Sequence, residues 1–216
     1  QERTFGPILW AMHTLSRGAL RMTAQMPPLA DTDTRTVRLQ TKTNGNWKTI
    51  SSDQIDRLAC TATFRIDNWD AGRDVPYRII YALKTAGGKI EEQFYTGTVR
   101  RDPVDRDLVV AAFTGNTDRG FPNARIVRNV GVHNLDMLIF TGDQIYEQVG
   151  GYGIHRAPVE LATLNYLRKW YMWGWAFGDL MRDRVTLCFP DDHDVYQGNI
   201  WGNGGNATTM RDHARG

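Results

Sequence analysis

The chain has almost no cysteine, no surplus of charge of either sign and no long apolar run, and each shortage removes a class of explanation. Two cysteines in 216 residues, Cys60 and Cys188, lie far apart and in what read as different domains, so they make no disulfide framework and identify no compartment. A formal net charge of +2 gives no electrostatic reason to expect a nucleic-acid partner. The densest basic cluster, Arg100, Arg101 and Arg106, is interleaved with Asp102, Asp105 and Asp107, which makes it a charge-balanced, solvated linker. No apolar run approaches the length of a membrane span, and no charged, apolar and small-residue order marks a signal peptide. An initiator Met is also missing. The chain opens at Gln1 and stops at Gly216 beside a Gly/Asn-rich stretch, 202–206, and reads as cut at both ends.

What is present has the apolar, charged and aromatic fractions of a globular protein. Residues 1–30 combine Trp10, Leu15, Leu20 and Met22 with Pro27–Pro28 and fit a strand or a short helix. From about Thr34 to Thr98 the signals are β. The runs 36–42 and 46–50 flank Asn44–Gly45, a dipeptide suited to a tight hairpin. Residues 58–66 and 77–83 are rich in β-branched and aromatic side chains, and 86–89 turns into a last strand, 90–99. Five or so short strands at this spacing predict an all-β, immunoglobulin-like sandwich over residues 31–104. Its expected role is structural, the alternative being a carbohydrate- or polymer-binding module.

After the linker at 100–107 the pattern changes to α/β, defining a second domain over 105–216. The run 107–113 has the continuous apolar character of a buried parallel strand. Residues 124–133 carry Ile126, Val127 and Val130 at helical spacing, and 137–140 is a second apolar run. Strand, helix, strand makes a βαβ unit with parallel strands and a right-handed crossover. Parallel strands put Asn116 and Asp118 on the same sheet edge as Asp143 and Tyr146. Residues 158–183 read as a long helix with Leu161, Leu164, Leu167, Trp170 and Leu180 inward; its aromatics Trp170, Tyr171, Trp173, Trp175 and Phe177 are assigned to core in preference to a pocket. A third strand, 185–189, then delivers Asp191, Asp192, His193 and Asp194 without a gap, at the carboxyl end where open α/β sheets keep their chemistry.

Carboxylates, an amide oxygen and a phenol oxygen are hard ligands for calcium, magnesium, manganese or ferric iron, and an imidazole admits zinc. An Asp between two ions can bridge them, and paired metals are a common solution for phosphate ester hydrolysis. His193 beside such a centre need not be a ligand: it can protonate a leaving oxygen, with Asp194 or another carboxylate orienting its ring.

The stretches GDQIYE at 142–147 and DDHDVYQGN at 191–199, separated by a Trp/Tyr-rich helix and preceded by a β-sandwich, resemble the alkaline phosphatase D family of calcineurin-like metallophosphoesterases. The resemblance covers roughly residues 30–216. It implies an αββα catalytic domain, incomplete in this chain, a centre of two or more metal ions drawn from Ca, Fe, Mn or Zn, hydrolysis of small or polymeric phosphate mono- or diesters, and a secreted or periplasmic setting. By the family pattern Asp143 bridges the metals and Tyr146 ligates the iron-type ion. Asp192 falls at the Asn of the Asn-His motif, with Asp191 beside it. His193 falls at the catalytic histidine, and Asn199 near a further ligand. The family's first strand ends in an iron-binding Cys; here 113–118 read FTGNTD, so Asn116 is the nearest replacement, with Asp118 behind it, which favours a harder or different metal pair. The family's later histidine motifs lie beyond Gly216, and His213 reads as a surface residue, so this chain alone is expected to be weakly active. Two other classes fit less of the pattern. A non-catalytic binding or scaffold protein with a degenerate metal site would explain the absent Cys. A calcium-dependent binding domain has no need of His193 or of Tyr146.

Overall fold

The computed structural model describes residues 6–149 and 153–195. They divide into two compact units: the chain up to Val109 together with Gly178–Thr186, and Val110–Phe177 together with the residues from Leu187 onward.

The first unit is a β-sandwich. Strands β1 (Trp10–Ser16), β2 (Ala19–Gln25) and β5 (Thr61–Ile66) form an antiparallel layer in the order β5-β2-β1. Strands β3 (Thr36–Thr43), β4 (Asn46–Gln54), β6 (Val75–Lys84) and β7 (Ile90–Val99) form the other, in the order β4-β3-β6-β7. Period-2 alternation sends Leu20, Met22 and Ala24 of β2, Ala62 and Phe64 of β5, Val37 and Leu39 of β3, and Tyr77, Ile79 and Tyr81 of β6 into the core. Asn44 and Gly45 turn β3 into β4 at φ 50° and 81°, the positive values a two-residue hairpin needs. The same device, with Arg17 and Gly18 at φ 51° and 71°, joins β1 to β2. The stretch left open between strand and helix is therefore a hairpin, and the sandwich begins at Trp10 and not at residue 31. Arg-Gly is a weak turn signal beside Asn-Gly, and both Trp10 and Ala11 are buried, which blurs the alternation.

Residues 178–186 close this unit, although nothing in the sequence separates them from the α/β pattern. The Arg182 guanidinium lies 4.4 Å from the Tyr95 ring centroid and its Nη1 donates to Thr96 O at 2.8 Å. Tyr77 Oη donates to Arg182 O, and Asp183 accepts from the Thr98 amide. Val185, the first residue of β10 (Val185–Cys188), aligns in parallel with His13.

In the second unit β8 (Val110–Phe113) and β9 (Met137–Phe140) pair in parallel, with α1 (Ala124–Gly131) between them in sequence. The helix α2 (Val159–Met181) contributes its residues up to Phe177. Phe140 stacks on Phe113 at 4.8 Å and meets Trp173 and Phe177 edge-on, so these α2 aromatics are core. Every fourth residue of α2, Asn165, Lys169, Trp173 and Phe177, is buried, and two of those four are polar.

Two expectations are corrected by burial. The 107–113 run is not buried: Leu108, Val109 and Val110 are exposed, and β8 has β9 as its one strand partner among the described residues. The helix read over 124–133 does form, as α1, and lies on the surface with Ile126 46% exposed and only Val127 and Val130 half-buried. Leu161 and Leu164 are exposed, since the buried row of α2 runs through Asn165 and Lys169 instead. Among the described residues, no helix is long and apolar enough to cross a membrane.

His13 is buried in the sandwich core beside Tyr77, with Nδ1 making no hydrogen bond, and burial pushes its pKa down to about 4. Below its ordinary value of 6.5 the unfolded chain takes up a proton that the folded chain refuses until about 4. Stability is thus expected to fall by about 3 kcal/mol as pH drops through that window. Urea unfolding at pH 7 and pH 4.5, compared with His13→Leu, checks this: the variant should lose most of the pH dependence, and an unchanged dependence would contradict it.

Candidate functional site

The site is built where the strand ends of the second unit meet. The parallel pairing of β8 and β9 continues past the strands: the Gly115 amide donates to Gly142 O at 3.3 Å and the Asn116 amide to Asp143 O at 3.0 Å. At the end of β10 the Phe189 amide donates to Phe140 O at 2.9 Å, and Gln144 Nε2 reaches Phe189 O at 2.9 Å. The loop after β9 is thereby tied on both sides.

Its main anchor is Asp194. This carboxylate, 5% exposed, accepts four backbone N–H groups: Asp143 at 2.7 Å and Asp191 at 3.0 Å on Oδ2, Gln144 at 2.8 Å and Ile145 at 3.1 Å on Oδ1. Burial pushes its pKa up and these amides pull it down, with burial the larger effect. Where the two loops touch, Gly142 stands at φ 119°, and a Cβ there would lie 2.4 Å from the Asp191 Cβ, so only glycine fits. Asp143 follows at φ 54°, a left-handed conformation uncommon for a residue with a side chain and often held at functional positions.

That knot sets the metal-capable groups side by side. Asp143, Asp192 and His193 each offer a ligand atom, all within 4.8 Å of one another. Tyr146 Oη donates to Asp143 Oδ2 at 3.1 Å, while Asp143 Oδ1 is buried and makes no hydrogen bond. A buried carboxylate oxygen without a donor is costly unless a cation meets it, so the donor set fits a hard metal ion. Burial first, then the Asp143 carboxylate, pushes the Tyr146 phenol up to about 12. Its ring lies 4.5 Å from the His193 ring, centroid to centroid.

The remaining expectations divide. Asn116 and Asp118 both line a shallow recess shared with Tyr146, Lys169 and Trp173, and Asn116 Nδ2 and Asp118 Oδ1 are buried without hydrogen bonds. Asp191 is exposed, and its Oδ1 accepts the Asp192 amide at 2.9 Å, outside the clustered ligands. Asn199 and His213 lie outside the described residues. Asp194 does not orient His193, because both its oxygens are engaged by backbone amides. The carboxylate that does so is Glu147, whose Oε2 lies 2.6 Å from His193 Nδ1. Burial lowers the His193 pKa, but Glu147, then Asp192 and Asp143, outweigh it and raise the value above normal. Glu147 stands in the GDQIYE stretch, four residues after Asp143, and a second acid beside Tyr146 is the signal that identifies it.

Replacing Asp194 with Asn keeps the volume but removes the charge and turns one acceptor into a donor facing N–H groups. Hydrogen bonds to a charged partner are worth about 1.5–3 kcal/mol each, so Asp194→Asn is expected to cost at least about 2 kcal/mol in urea unfolding. A change below about 0.5 kcal/mol would contradict the assigned anchoring.

No family model matches the chain, and no curated protein matches it. Solved structures that match include the NEAT5 domain of IsdX2, a B. anthracis hemophore in complex with heme, at 18% identity and TM-score 0.25, covering 44% of this chain and 75% of that one. A point mutant of the same IsdX2 domain, also in complex with heme, matches at 14% identity and TM-score 0.26, covering 45% and 79%. Likeness at these TM-scores carries no argument about this chain.

Proposed function

We propose that this chain is a metal-dependent phosphoric ester hydrolase of the kind the GDQIYE and DDHDVYQGN stretches resemble, acting on phosphate mono- or diesters. The observation that carries the reading is the gathering of Asp143, Asp192 and His193 within 4.8 Å, with one Asp143 oxygen buried without a hydrogen bond. On this reading Val110–Phe177 and the residues from Leu187 belong to an αββα metallophosphoesterase domain, and the sandwich is of immunoglobulin-like type.

The geometry supports a division of labour on this reading. Asp143 and Asp192 would hold the cation, with Tyr146 and Asn116 as further ligand candidates. A hard cation there supplies Lewis-acid polarisation of the phosphoryl group and activation of water near neutral pH. Glu147 holds His193 Nδ1 and favours the imidazolium, which leaves Nε2 as the nitrogen that gives a proton to the departing oxygen. Tyr146, a neutral phenol donating to Asp143, keeps that carboxylate aimed into the cluster.

The test is hydrolysis of p-nitrophenyl phosphate and bis(p-nitrophenyl) phosphate with calcium, manganese, zinc or iron added. His193→Ala is expected to lower kcat by roughly two orders of magnitude, the scale of a lost general acid, and Asp143→Ala to remove the stimulation by metal. Equal turnover in His193→Ala would take His193 out of the mechanism. No turnover by the parent with any metal would move the reading to a non-catalytic protein.

A further inference from the structure

Lys169 is 3% exposed, in the buried helix row that runs Asn165, Lys169, Trp173 and Phe177, and neither the metal cluster nor the proton transfer uses it. Taking an ammonium out of water is costly unless oxygens replace the water. Lys169 Nζ finds Glu147 O at 2.6 Å, Asn165 Oδ1 at 2.8 Å and Gly153 O at 3.4 Å. Asn165 Nδ2 donates to the same Gly153 carbonyl at 3.2 Å. Two residues one turn apart on α2 thus hold carbonyls at 147 and 153. The shortest of these bonds is to the peptide of the residue whose carboxylate meets His193 Nδ1 at 2.6 Å. A charge-assisted bond to a carbonyl fixes that peptide plane, and with it the direction in which the Glu147 side chain leaves the backbone. Burial pushes the Lys169 pKa down, while the Glu147 and Asp118 carboxylates push it back up.

From this geometry we propose that Lys169 is a positioning residue for His193, acting through Glu147: it fixes the Glu147 backbone so that the carboxylate holds the imidazole in its proton-donating orientation. The proposal deepens the phosphoesterase reading and rests on it for the reaction concerned. A merely structural lysine would weaken every step alike, whereas a lysine acting through the Glu147–His193 pair has nothing left to position once the imidazole is gone.

The test is a double-mutant cycle on p-nitrophenyl phosphate hydrolysis. Lys169→Met alone should lower kcat about tenfold or more, the usual cost of losing an outer orienting partner, with metal content unchanged. In a His193→Ala background the same substitution should change kcat less than about twofold, since the two act in series. Equal factors in both backgrounds would overturn the proposal. A second readout does not depend on turnover. In 15N-histidine-labelled protein the His193 Nδ1–H signal, assigned by its loss in His193→Ala, should lie far downfield and move upfield in Lys169→Met; an unmoved signal would overturn the proposal. Should Lys169→Met fail to fold by circular dichroism, Asn165→Ala takes its place and should move the same signal in the same direction. If the parent hydrolyses no ester, the phosphoesterase reading fails, and the histidine spectrum alone still decides whether Lys169 sets the imidazole.

Discussion

The arrangement around the cluster of Asp143, Asp192 and His193 depends on one buried carboxylate. Asp194 takes four backbone N–H groups from two loops that are far apart in sequence. Without it the Asp143 amide, in a residue at positive φ, would lose its acceptor, and the close approach of Gly142 to Asp191 would lose the carboxylate that ties both loops. The charge of Asp194 serves the fold, and the charges of its neighbours Asp143 and Asp192 are thereby free to face a ligand.

A hierarchy of anchors follows. Asp194 sets the backbone of both loops, Gln144 fastens the first to Phe189, and Tyr146 aims Asp143. Glu147 sets the histidine, and Lys169 sets the peptide of Glu147. Each member is less than fully exposed, so its bonds form in a medium where they are stronger than in water, and where an unmade bond is correspondingly expensive. Asp143 Oδ1 is the exception within the cluster, and it is the exception that points to a cation.

Much of this was legible from residue order. Asn44–Gly45 marked a hairpin, the runs 77–83 and 90–99 marked paired strands, and the acids at 143 and 191–194 followed apolar runs, as strand-end residues do. The β1–β2 hairpin was not, because Arg17–Gly18 is an uncommon turn pair and its strands bury residues on both faces. The surface position of α1 was not, because half-buried Val127 and Val130 produce the same periodicity as a buried face. The partition of labour between Asp194 and Glu147 was hidden for a different reason. Sequence shows which acids are near a histidine in the chain, whereas which oxygen meets which donor depends on how four consecutive residues turn after β10. Lys169 was hidden because a lysine in an amphipathic helix is ordinarily a solvated one.

The claim on which the account rests is that the two loops together form a metal site. Equilibrium dialysis against calcium, manganese, zinc and iron, followed by elemental analysis of the protein and of its Asp143→Ala/Asp192→Ala double variant, tests it most directly. The account predicts at least one equivalent of metal held by the parent and none above background in the variant, with the variant still folded because Asp194 and Gly142 are untouched. No bound metal in the parent, or equal metal in both proteins, would contradict it.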